Sequence, residues 1–163
     1  MGTPPPIIND LVDRFERNLD SYRGQGYNET QVRQEFINPF FESLGWDVTN
    51  KGGDAEAYKD VIHEDAIKVG GLTKAPDYCF RIGGTRKFFL EAKKPAVNLK
   101  DDLSPAYQLK RYAWSAKLPL SILTDFGLTD EEIAIVEACG ESFDKTQGKP
   151  GRTSVAVASE PTA

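Results

Sequence analysis

The twenty residues PDYCFRIGGTRKFFLEAKKP, from Pro76 to Pro95, constrain the fold more than any other part of the chain. Two apolar runs flank Gly83 and Gly84, the pattern of two antiparallel strands joined by a tight turn. Side chains alternate along a strand, so Tyr78, Phe80 and Ile82 share one face while Asp77, Cys79 and Arg81 take the other. On the second run Phe88, Leu90 and Ala92 oppose Phe89, Glu91 and Lys93. Loop length decides which sets coincide. A loop of Gly83 and Gly84 alone puts Asp77 across from Leu90; a loop of Gly83, Gly84 and Thr85 puts Asp77 across from Glu91 and Tyr78 across from Leu90. Pairing of the apolar sets favours the longer loop. It also sets two carboxylates side by side, with Lys93 on the same face, which is destabilising on a purely structural surface. A hard cation such as Mg²⁺, held by Asp77, Glu91 and the Ala92 carbonyl, would relieve that repulsion. Lys93 could then orient a metal-bound water or steady charge developing on a phosphate. Phosphodiester hydrolysis is the chemistry that suits this set.

The rest of the composition excludes several other classes. At 163 residues the chain is long enough for one domain and its tails. No apolar run approaches the roughly 20 residues that span a bilayer, and the start MGTPPPIIND is unlike a secretory signal, so no membrane association and a cytoplasmic location are expected. Cys79 lies inside an expected strand and Cys139 is the only other cysteine, which argues against a disulfide framework or a thiolate zinc site. The single histidine, His63, sits in a polar stretch and reads as a surface or capping residue, so a histidine relay is not expected. The net charge of -5 hides a segregation: residues 1–76 carry 8 Lys or Arg against 13 Asp or Glu, residues 77–126 carry 9 against 5, and residues 127–163 carry 3 against 7. A polyanion would approach the positive middle segment.

Helical spacing of Ile8, Leu11, Val12, Phe15, Leu19 and Tyr22 predicts an amphipathic helix after the Pro4–Pro6 run. Residues 23–27 read as a linker. Asn28 then caps a second helix, with Gln31 completing a capping box and Val32, Phe36, Ile37, Phe40, Phe41 and Leu44 as its apolar stripe; Pro39 is expected to bend it and Gly45 to end it. Trp46–Thr49 reads as a short strand, and 50–74 as a flexible loop leading into another short strand. Asp101–Lys117 reads as a helix capped by Ser104 with Pro105 at its first position, and Leu118–Asp125 as a buried strand. Beyond Phe126, GLTDEEIAIVEACG suits a short helix capped by Thr129, and roughly the last twenty residues have a disorder-prone composition.

The Pro76-Asp77 and Glu91-Ala92-Lys93 elements, the helix VRQEFINPFFESLGW and the segment SPAYQLKRYAWSAKLPLSILTDF resemble the PD-(D/E)XK nuclease superfamily, and more closely the nuclease domain of type I and type IIG restriction enzymes. The resemblance covers about residues 28–126, with 1–27 as an N-terminal helix and linker and 127–163 as a short helix and tail. It implies an α/β fold with a central mixed sheet flanked by helices in the order αβββαβ, Mg²⁺ as cofactor and cleavage of double-stranded DNA. Asp77 and Glu91 match the metal ligands and Lys93 the catalytic lysine. Glu35 matches an acid supplied to the metal from the first core helix, or is a solvated helix acid. Gln108 and Tyr112 match a Gln-x-x-x-Tyr pattern that faces the active site, although Tyr112 could equally be core. Lys94, Lys110 and Arg111 are candidate phosphate contacts.

The resemblance also implies a methyltransferase and a target-recognition region that 163 residues cannot hold. GLTDEEIAIVE looks similar to the far C-terminus of those long enzymes, which suggests an internal-deletion remnant joined near Phe126 and Gly127. A separate methyltransferase or specificity subunit is then a possible partner. An idle DNA-binding or assembly module is the alternative to an active nuclease.

Overall fold

The computed structural model describes residues 5–99 and 102–127. The expected helix capped by Thr129 and the C-terminal tail lie outside the described residues, as does everything beyond Gly127 of the expected deletion junction. Helix α1 (Pro6–Arg17) buries Ile8, Leu11 and Phe15, and a single turn, α2 (Leu19–Tyr22), follows it. Helix α3 (Glu29–Val32) opens with the expected capping box: Asn28 Oδ1 accepts from the Gln31 amide at 3.1 Å and Gln31 Oε1 from the Asn28 amide at 3.0 Å.

The bend expected at Pro39 takes a specific form. Arg33–Ile37 is π-helical, and α4 (Asn38–Ser43) carries the proline in its first turn. Proline has no N–H for the Glu35 carbonyl, and its ring crowds that carbonyl, so the preceding turn widens. Arg14 of α1 donates a side-chain N–H to Glu35 O instead.

A four-stranded sheet forms from β1 (Val61–His63), β4 (Tyr78–Ile82), β5 (Thr85–Ala92) and β6 (Ser121–Thr124), in that spatial order. The first three strands are antiparallel; β6 is parallel to β5 and is reached through α5 (Ser104–Ala116). The result is mixed α/β with a central mixed sheet. Between β1 and β4 in the chain, β2 (Ile67–Val69) and β3 (Leu72–Lys74) form a separate two-stranded hairpin. The core lies on both faces of the sheet. Tyr78, Phe80, Phe88, Leu90 and Ala92 pack against α1 and the α3–α4 helix, whereas Cys79, Phe89 and Leu123 pack against Leu109 and Tyr112 of α5 and Ile67 and Val69 of β2.

Four expectations need correction. Trp46–Thr49 is a turn, not a strand: Asp47 accepts the Lys51 and Gly52 amides, both at 2.7 Å, so its carboxylate takes the place of a ladder partner. The polar region 50–74 holds three short strands, β1, β2 and β3, rather than a loop and one strand. Ser104 is the first residue of α5 rather than its cap, because the Asp102 carboxylate accepts the Ser104 amide at 3.0 Å. The β4–β5 loop is the two-residue one, since Ile82 pairs with Thr85, with Gly83 at φ 56° and Gly84 at φ 76°. Yet Tyr78 still pairs with Leu90, because a register shift after Phe80 leaves Lys87 as the extra residue of a β-bulge. Loop length and register are uncoupled by one residue in the strand.

Candidate active site

The bulge sets the ladder so that Asp77, one residue before β4, lies across from Glu91 near the end of β5. The Ala92 amide donates to Asp77 Oδ2 at 2.8 Å, and the Asp77 amide reaches toward Glu91 Oε2 at 3.4 Å. Beyond the strand, the Lys93 amide donates to the Thr124 carbonyl of β6 at 2.8 Å, which holds residue 93 in the extended line of β5. Its side chain therefore points to the same face as Glu91. Lys93 Nζ lies 3.0 Å from Glu91 Oε1 and 3.8 Å from Glu29 Oε1.

Helix α5 closes one side. Gln108 Nε2 is 3.4 Å from Glu91 Oε1 and 2.7 Å from the Tyr112 hydroxyl, so the i, i+4 pair does face this carboxylate. Tyr112 also belongs to the buried cluster between sheet and helix, which makes it core and site neighbour at once.

The α3–α4 helix closes the other side with a residue that the sequence does not single out. Arg33 Nη1 lies 3.2 Å from Asp77 Oδ1, and its guanidinium sits 4.8 Å from the centre of the Tyr78 ring. Arg33 Nη2 is 3.3 Å from His63 Nδ1, while His63 Nε2 is 2.9 Å from the Val48 carbonyl. A carbonyl can only accept, so Nε2 carries the proton and Nδ1 accepts from Arg33. Glu29 and Arg33 stand one helical turn apart, and the capping box at Asn28 is the only local signal that would have put both on one face. Nothing in the sequence indicates that this face meets Asp77.

Glu35 is not part of the cluster. It lies two residues beyond Arg33, on the side of the helix that lines a groove with Asp10, Asp13, Arg14 and Arg17 of α1. Helical geometry explains this placement: the acid that this helix brings to Lys93 is Glu29, at 3.8 Å. Lys94, Lys110 and Arg111 are exposed, with Arg111 beside Gly70 at the tip of the β2–β3 hairpin.

The electrostatics follow from burial and crowding. Glu91 is only 6% exposed. Burial first, and then the Asp77 charge, raise its carboxyl above the ordinary glutamate range, with Lys93 pulling the other way. For the Lys93 ammonium, burial acts downward, but attraction to Glu91, Glu29 and Asp77 prevails and the net shift is upward. Burial and the Glu91 charge raise the Tyr112 hydroxyl. Among the described residues no three His, Cys, Asp or Glu side chains gather into a protein-only metal cage. Two converging carboxylates with a neighbouring backbone carbonyl suit a hard cation that keeps several of its waters, and the mutual repulsion raising Glu91 is what such a cation would relieve.

Residues 26–126 match the family described as the N terminus of the type I restriction enzyme R protein. The chain belongs to this family. The matched span of this type I restriction R-protein N-terminal domain contains all the residues of the cluster, from Glu29 to Tyr112. Over 124 residues the domain is also 45% identical to the type II restriction enzyme and methyltransferase RM.Eco57I of Escherichia coli, an alignment covering 75% of this chain and 12% of that protein. The chain thus spans about an eighth of that curated relative's length. No solved structure matches it. No helix among the described residues is long and apolar enough to cross a membrane.

Proposed function

We propose that this domain is a Mg²⁺-dependent nuclease of restriction type that hydrolyses phosphodiester bonds of double-stranded DNA, on a restriction-endonuclease-like αβββαβ core. The observation that carries the reading is the convergence of Asp77, Glu91 and Lys93 at one end of the sheet. Asp77 and Glu91, with the Ala92 carbonyl, would hold Mg²⁺, which supplies a Lewis acid for a phosphoryl oxygen and lowers the pKa of a bound water. Lys93 is close enough to Glu91 to orient that water and to offset negative charge on the phosphorane-like transition state. Gln108 bridges the Glu91 carboxylate and the Tyr112 hydroxyl. Lys94, Lys110 and Arg111 bind backbone phosphates, which position a duplex without reading its bases. Base-specific recognition then belongs to another region or subunit, of the methyltransferase or specificity kind.

The test is incubation of the full chain with plasmid DNA and Mg²⁺, beside Asp77→Ala and Lys93→Ala. Each substitution should lower the cleavage rate by about 100-fold or more. Cleavage that persists in both variants would remove these residues from the site. A wild-type chain that binds the plasmid without cutting it favours the idle module.

A further inference from the structure

The β2–β3 hairpin has no place in the chemistry above, yet it is anchored directly on it. β1 ends at His63 across from Tyr78, and the Glu64 amide donates to the Asp77 carbonyl at 3.2 Å. The excursion from Glu64 to Pro76 therefore begins and ends at the metal-site aspartate. Its inner residues Ile67 and Val69 are buried against Leu109 and Tyr112 of α5, so the hairpin is braced and not a loose loop.

What it presents outward is basic and apolar. Residues 66–74 contain Lys68 and Lys74 and no acid; α5 contains Lys110 and Arg111 and no acid, in a chain of net charge -5. Among the described residues no carboxylate pairs with Lys68, Lys74 or Arg111. The nearby Asp65 is already held by Arg86 at 2.7 Å. Direct pairing sets Lys68 with Thr73 on one face of the ribbon, and Val69 with Leu72 and Ile67 with Lys74 on the other. Leu72, beside the Gly70-Gly71 turn, is 64% exposed. All of β3 is exposed, so the ribbon's outer edge is free to meet a partner.

We propose that the β2–β3 hairpin is a DNA-contacting arm that holds the duplex beside Asp77 and Glu91, a role that rests on the nuclease reading of that site. Lys68 from one face of the ribbon and Lys74 from its exposed outer strand meet backbone phosphates on either side, and Leu72 at the tip presses on the groove surface between them. An arm rooted at Asp77 couples duplex placement to the reacting end of the sheet. Hydrophobic bracing by α5 keeps it from folding away.

Fluorescence anisotropy with a short labelled duplex tests this, using the full chain with Ca²⁺ in place of Mg²⁺ so that the strands stay intact. Lys68→Ala/Lys74→Ala should weaken binding by about tenfold or more at low salt and reduce the slope of log K against log salt by about 1.8, the value for two lost phosphate contacts. Leu72→Ala should weaken binding by about fivefold and leave the slope unchanged, because no ion is released. Isothermal titration of Mg²⁺ should give the same affinity in all three proteins, since none of these side chains pairs with Asp77 or Glu91. Wild-type binding with an unaltered slope and affinity in the double lysine variant would overturn the arm and leave the nuclease reading standing. Absence of DNA binding by the wild type would overturn both.

Discussion

Arg33 offers the sharpest test of how this site is balanced without metal. In Arg33→Met an unbranched apolar side chain is kept, while the charge that meets Asp77 Oδ1 at 3.2 Å and lies over the Tyr78 ring is lost. Two unit charges at that distance attract by about 5 kcal/mol at an effective dielectric constant near ~20, but most of this offsets the cost of taking both groups out of water. Hydrogen bonds to charged groups contribute a net ~1.5–3 kcal/mol, and the cation over the ring adds ~0.5–1 kcal/mol. A loss of about 2 kcal/mol is expected, which corresponds to a fall in Tm of about 8 °C for a domain of this size. Mg²⁺ should reverse the ranking of responses. With Asp77 Oδ1 released, the variant should bind Mg²⁺ about tenfold more tightly and gain more thermal stability from it than the wild type does. Scanning calorimetry of both proteins, with EDTA and over a Mg²⁺ series, measures this directly. Equal Tm values in EDTA would refute the energetic worth of the pair, and equal gains with Mg²⁺ would refute the competition for Asp77.

Two further perturbations probe the supports of the site. Arg14→Met removes the donor that serves the Glu35 carbonyl and should cost about 1–2 kcal/mol in urea denaturation. Adding Pro39→Ala restores a backbone N–H, so the double variant should recover part of that loss; strict additivity would show that the proline is not the cause. Glu91→Gln should make the metal-free protein more stable than wild type at neutral pH, because an ionised Glu91 is buried beside Asp77. The sign follows from the raised carboxyl: the folded state holds its proton at higher pH than the unfolded state does. The wild type therefore gains stability from this group as pH falls through the folded value, and the advantage of the variant should vanish near the ordinary glutamate pKa of about 4.3. A difference between the two proteins that is independent of pH would contradict this.

Local physics made much of this protein legible. The 3.6-residue spacing of Ile8, Leu11 and Phe15, the capping box at Asn28 and the two strands around Gly83-Gly84 each depend on neighbours within a few positions, and these appear as expected, although the first helix ends at Arg17 and not at Tyr22. Apolar pairing was enough to set Asp77 across from Glu91. The turn that achieves it was not legible, because the bulge at Lys87 lets a two-residue loop and the required register coexist, and a bulge has no composition of its own. The strand expected at Trp46 failed because the Asp47 carboxylate competes for the backbone amides that follow it.

The sequence by itself determined which groups meet at the hairpin: alternation puts Glu91 and Lys93 on one face, and pairing of the apolar sets, Tyr78 with Leu90, places Asp77 across from Glu91. Tertiary structure alone decided what stands opposite them. Arg33 reaches Asp77 across 44 positions, and Gln108 reaches Glu91 across 17, because two separate helices pack on opposite faces of one sheet. The same packing turned Glu35 away toward α1 and brought Glu29 to Lys93. Periodicity states which residues share a helix face, but the partner of that face is chosen by how the apolar stripes are buried.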